Sequence, residues 1–118
     1  MFLNLMQIKF PPMAIASILH RVTGVLMFLF LPVLLYLLYT SLASPESFQD
    51  FVALTHVWWM QLLLWGGTTA ISYHVIAGIR HLIMDFGIGE SLVVARRTAI
   101  LVVSLGAISA VLLGVWIW

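Results

Sequence analysis

The stretch SILHRVTGVLMFLFLPVLLYLLY, residues 17–39, decides what kind of molecule this is. From Val22 to Tyr39 it holds no charged residue, and a helix crossing a bilayer needs about 20 mostly apolar residues. The span it predicts runs from about Ile15 to Leu42. The adjacent His20 and Arg21 at its start are the anomaly. One polar residue at a helix end is ordinary; two, flanked by Ser17 and Gly24 at helical spacing, ask for a reason.

The rest of the composition agrees with the bilayer. Of 118 residues, 64% are hydrophobic and 8% charged, against roughly a quarter charged in soluble domains. The mean hydropathy is +1.16. A soluble fold of this composition would expose more apolar surface than water tolerates. The net charge of +1 and the lack of a basic run exclude nucleic-acid binding. With no cysteine, the chain itself supplies no disulfide, thiolate metal site or Fe–S ligand. The opening MFLNLMQIKF lacks the basic start, apolar core and small-residue cleavage site of a signal peptide.

Two further spans are predicted, at about Val57–Ile83 and Thr98–Trp118. Trp58 and Trp59 anchor the entry of the second, and Trp116 and Trp118 close the third. Pro32 inside the first span should kink it or free one backbone hydrogen bond. Between the first two spans, SLASPESFQD reads as a loop, because a proline restricts the residue before it. The expected class is an all-α membrane protein, a single domain over residues 1–118 with three transmembrane helices. Lys9, Arg21, Arg80, Arg96 and Arg97 flank the same side, and the first connection carries only Glu46 and Asp50. The positive-inside rule therefore predicts a cytoplasmic N-terminus and an external C-terminus. Neither connection is long enough for a soluble catalytic domain, so function lies within or at the edge of the bilayer, with partner subunits.

Ionisable residues within a span are costly and usually face a cavity, a partner or a cofactor. In Tyr73-His74-Val-Ile-Ala-Gly78-Ile-Arg80-His81-Leu-Ile-Met-Asp85, residues 74, 78 and 81 share one helical face. His74 lies roughly 16 Å from Asp85 along the axis, near mid-membrane. Three roles are open to it: a hydrogen bond to a neighbouring helix, axial ligation of haem iron with Gly78 leaving room for the macrocycle, or a proton relay. His20, His56 and His81 lie toward the span ends, and none is level with His74, so a second axial ligand would come from another subunit. Ser17, His20, Arg21 and Gly24 also share a face. Arg21 can reach lipid phosphate while Ser17 merely starts a helix, or the group can hold an anion or a carbonyl-bearing ligand through fixed guanidinium donors and a hydroxyl.

Together the two stretches resemble the cytochrome b556 membrane-anchor subunits of bacterial succinate dehydrogenase, respiratory complex II. Those carry Ser-x-x-His-Arg-x-Thr/Ser-Gly opening the first span and His-x-x-x-Gly-x-Arg-His-x-x-x-Asp closing the second. Both patterns are intact here and in the same order, although many relatives have several more residues before LNLMQIKFP. The resemblance implies a multi-pass protein of the bacterial inner membrane, inactive alone. It would pair with a second small anchor and hold the flavoprotein and iron–sulfur subunits, whose FAD and Fe–S centres carry electrons from succinate to quinone. It implies His74 as axial ligand of a b-type haem shared with the partner anchor, and Ser17 and Arg21 in the quinone site. His20 and His81 would lie by the haem propionates. Two alternatives stand beside it: an anchor of quinol:fumarate reductase, or a non-redox membrane scaffold or transporter component.

Overall fold

The computed structural model describes residues 12–118. The readings made on Lys9 and on the opening ten residues lie outside them. Four helices follow one another: α1, Pro12–Ala43; α2, Pro45–Leu54; α3, Trp58–Asp85; and α4, Leu92–Ile117. Among the described residues there is no strand, and α1, α3 and α4 are each long and apolar enough to cross a membrane. The protein is an all-α membrane protein with three spans.

Two boundaries differ most from the sequence expectation. The presumed loop after the first span contains the ten-residue helix α2. Ser44 takes an extended conformation and its side chain accepts a hydrogen bond from the Ser47 amide at 2.9 Å, with Pro45 in the first turn. Serine at the cap and proline just inside it form a helix start, so the residues that end α1 also begin α2. The helix of the third span starts at Leu92, ahead of the expected Thr98, because Ser91 caps it by accepting from the Val94 amide at 3.3 Å. Arg96 and Arg97 are tolerated inside because their long stems carry the charge outward. Between α3 and α4 the chain turns on Gly87 (φ 80°) and Gly89 (φ 72°), a backbone region that favours glycine. Helix α1 continues through Pro32, where the ring removes only the amide that would have bonded Phe28.

The contacts between spans show their directions. Along α1, His20, Gly24 and Phe30 meet Gly78, His74 and Gly67 of α3. The numbers rise on one helix as they fall on the other, so the pair is antiparallel. From α3 to α4 the meetings are Arg80 with Ala95 and Thr98, Tyr73 with Gly106, and Trp65 with Ala110, again antiparallel. Small residues fill these seams: Ala16, Gly67, Ala70, Ala77, Ala95, Ala99 and Gly106 are all buried. In lipid there is little hydrophobic drive between helices, so association rests on close backbone approach and interhelical hydrogen bonds. Tyr73 supplies both at the junction of all three spans. Its ring seats on Gly106, and its hydroxyl donates to the Ala16 carbonyl at 3.0 Å.

The Phe30 ring presses on Gly67, where a methyl group would overlap it, whereas the neighbouring Gly66 faces open space. Gly67→Ala should therefore destabilise the helix pair by about 1–3 kcal/mol, the usual cost of overpacking. Gly66→Ala should be neutral or slightly stabilising. Denaturant-induced unfolding in mixed micelles measures both, and equal stability of the two variants would contradict this packing.

Candidate functional site

The site lies where α1 crosses α3, and its geometry comes from two copies of one spacing. His20 and Gly24 are four residues apart on α1; His74 and Gly78 are four apart on α3. Because the helices are antiparallel, each histidine lands on the other's glycine. A Cβ built on Gly24 would lie 3.1 Å from Cε1 of His74, and one on Gly78 would lie 3.6 Å from Nε2 of His20. The two imidazoles stack between these seats with ring centroids 4.1 Å apart and planes 10° from parallel. His81 lies parallel to His20 at 5.9 Å, so three rings form a column from the interior of the bundle toward the end bearing the arginines.

His20 is thus brought level with His74, contrary to the expectation that no histidine would be. The expectation placed His20 at the mouth of a span opening near Ile15, but α1 is already helical at Pro12, and the antiparallel crossing sets residue 20 beside residue 74. The space beside Gly78 is likewise used by His20 and is not simply left open.

His74 is oriented through Nδ1. That nitrogen is 3.1 Å from the His20 carbonyl and 3.2 Å from Oγ1 of Thr23, whose hydroxyl donates to the same carbonyl at 3.0 Å. The carbonyl can only accept, so the Nδ1–H tautomer satisfies the contact and leaves the Nε2 lone pair uncommitted. A ring nitrogen held by a backbone carbonyl, with the other nitrogen bare, is the arrangement of histidine ligands to metals. No group of three or more His, Asp or Glu side chains converges as a metal cage among the described residues; His74 offers one coordination position.

The remaining candidates divide. Ser17 and Arg21 are exposed and make no hydrogen bond with any described residue, and His81 is exposed. The fold therefore joins His20, His74 and His81, and sets Ser17 and Arg21 at the rim with free donors. His56 stays apart, its Nδ1 2.8 Å from the Val52 carbonyl just beyond α2. Three contributors went unread in the sequence. Thr23 sits three residues after His20, a spacing that allowed its hydroxyl to be foreseen. Tyr73 showed no signal beyond its place beside His74. Arg80 was read only as topological charge, yet it ties α3 to α4, with Nε donating to Oγ1 of Thr98 at 3.0 Å and one terminal nitrogen to the Ala95 carbonyl at 3.1 Å.

A three-span membrane subunit with a half-buried, pre-oriented histidine and exposed polar donors near one span end is the class that this fold and site define. A family model described as succinate dehydrogenase/fumarate reductase transmembrane subunit matches residues 1–114, and the chain belongs to that family. It is 45% identical over 117 residues to the succinate dehydrogenase cytochrome b556 subunit of Coxiella burnetii, covering 98% of this chain and 94% of that one. It is also 29% identical over 104 residues to the subunit of the same name from Paracoccus denitrificans, covering 88% and 80%. It is accordingly a multi-pass membrane subunit of the complex II type.

The tautomer is directly measurable. Nitrogen-15 spectra of the chain selectively labelled at histidine should show His74 protonated at Nδ1 and bare at Nε2. Thr23→Val should leave this unchanged, since the His20 carbonyl remains; an Nε2–H tautomer in the wild type would remove the basis for ligation.

Proposed function

We propose that this chain is the anchor of a succinate:quinone oxidoreductase that ligates a b-type haem through Nε2 of His74 and contributes Ser17 and Arg21 to quinone reduction. The observation that carries the reading is the Nδ1 contact of His74 with the His20 carbonyl, which fixes the ring and frees the opposite nitrogen for iron. Support also comes from the relatives' name, cytochrome b556. When bound, the haem would supply a reversible one-electron carrier, held by His74 of this chain together with a partner anchor. Among this chain's own residues, Gly24 and Thr23 hold the His74 ring in place. His20 and His81 offer nitrogens toward the propionates, where donor or positive groups offset carboxylate charge. The flavoprotein and iron–sulfur subunits, with their FAD and Fe–S centres, complete the route from succinate.

Arg21 and Ser17 act on the quinone. Arg21 offers fixed charged donors to a quinone oxygen, stabilising the negative charge that develops as it is reduced. Ser17 donates a hydroxyl to a carbonyl. Their position near the span end gives water access for the two protons that quinone reduction consumes. In the proposed topology that end faces the cytoplasm of a bacterial inner-membrane protein, and the fusion points Pro45 and Trp118 should both report as external. A cytoplasmic C-terminus would overturn that orientation. Both named relatives are succinate dehydrogenase subunits, which favours the succinate-oxidising direction over fumarate reduction.

Replacing His74 with leucine should abolish the low-spin b-type signal of the purified complex, while His56→Leu leaves it intact; an unchanged spectrum in His74→Leu rejects the ligation, and a wild type with no reducible b-type spectrum favours a non-redox scaffold. For the quinone site, Ser17→Ala and Arg21→Leu should lower quinone reduction but spare succinate oxidation with a soluble artificial acceptor, which draws electrons before the membrane. Loss of a hydrogen bond to the reacting carbonyl costs about 1–3 kcal/mol, hence roughly ten- to hundredfold in turnover, with Arg21→Leu the more severe. Equal loss in both assays would assign the pair to assembly instead.

A further inference from the structure

On the flank of α3 opposite the histidines, a groove of about 450 Å³ runs between α3 and α4. Its α4 wall is Val94, Thr98, Leu101 and Leu105, an i, i+4, i+7, i+11 stripe, and isoleucines of α3 face it. The lining is apolar except where Arg80 and Thr98 enter it, one helical turn in from Val94. From Val94 to Leu105 the groove extends about 16 Å at 1.5 Å per residue. One leaflet contributes about 15 Å of the bilayer's roughly 30 Å hydrocarbon core, so the groove is as long as one acyl chain is deep.

The polar end carries unspent positive charge. Arg80 uses Nε and one terminal nitrogen on Thr98 and Ala95, and its other terminal nitrogen has no partner among the described residues. Arg97 is exposed, and helical spacing places it beside Val94 and Leu101 on the rim. No carboxylate pairs with either arginine among the described residues. Asp85 falls on another flank of α3 by the same spacing, and Oε1 of Glu90 lies near Gly87, 3.7 Å from where a Cβ would sit.

We propose that this groove is a binding site for an anionic glycerophospholipid. One acyl chain lies along the stripe from Leu105 toward Thr98, and the phosphate meets the free nitrogen of Arg80 and the guanidinium of Arg97 at the level of that turn. Guanidinium groups pair with phosphate oxygens through planar, charge-assisted donors, and apolar walls ending in two uncompensated cations match a lipid's tail and headgroup. A neutral lipid satisfies the walls but not the charges; a partner helix would bury Arg80 without an anion, at a cost.

The test uses the purified, delipidated complex in detergent, titrated with phosphatidylglycerol or phosphatidylcholine, with bound lipids counted by native mass spectrometry. The wild type should hold one more phosphatidylglycerol than Leu101→Trp, whose indole fills the groove and leaves both arginines in place. Arg97→Gln should weaken phosphatidylglycerol binding about fivefold, the contribution expected of one basic residue near an anionic headgroup, and leave phosphatidylcholine unaffected. Arg97 makes no hydrogen bond within the described fold, so this variant keeps the test decisive if Leu101→Trp does not assemble. Three results each overturn the site: equal phosphatidylglycerol counts in wild type and Leu101→Trp, equal binding of the two lipids by the wild type, or unchanged affinity in Arg97→Gln. Displacement of the bound lipid by added quinone would do the same and make the groove a quinone-tail channel.

Discussion

Everything at the site depends on the crossing of α1 and α3, where the rings of His20 and His74 each sit on the other helix's glycine. Antiparallel helices with the same four-residue His-to-Gly spacing can meet this way only in one register. A shift of one residue would rotate both rings out of the seam by about 100°. The register then brings the His20 carbonyl to Nδ1 of His74, so the packing that joins the helices also selects the imidazole tautomer. Structure and chemistry are set by one contact, and neither can be changed alone.

The same device recurs across the bundle. Gly67 seats Phe30, Gly106 seats Tyr73, and a Cβ on Gly114 would come within 3.4 Å of the Trp65 indole nitrogen. Each glycine is a place where a ring from the adjoining span lies against backbone. Lipid offers no penalty to exposed leucine, so helix pairing must come from contact area and from hydrogen bonds that the bilayer cannot supply. Rings on glycine maximise the first. Tyr73 to Ala16, Trp65 to Ala110 and Arg80 to Ala95 supply the second, each a side-chain donor given to a backbone carbonyl of another helix.

This explains what was legible in the sequence. The three spans were readable because hydrophobicity over 20 residues is a local property. The helix Pro45–Leu54 was hidden because Ser44-Pro45 signals a break and a start with the same residues. His74 and His20 were visible as ionisable groups where lipid disfavours them, but their stacking was not, because it depends on the depth of both helices in a shared frame. Gly24 illustrates the limit: within α1 it is a small residue on a polar face, and only the His74 ring that meets it shows that a Cβ there would sit tightly, 3.1 Å from Cε1. Arg80 likewise read as topology until Thr98 and Ala95 appeared beside it.

The two ends of the polar system differ in how complete they are. His74 finds its orienting partners within this chain, at 3.1 and 3.2 Å, so its geometry is fixed before any other subunit arrives. Ser17 and Arg21 have no partner among the described residues and remain exposed. An arginine near a span end loses little by waiting in the headgroup region, where its stem packs on lipid and its charge reaches water. A histidine in the interior has no such refuge and must be satisfied internally. The difference follows from depth: the deeper histidine is oriented by its own chain, and the shallower Ser17 and Arg21 are exposed.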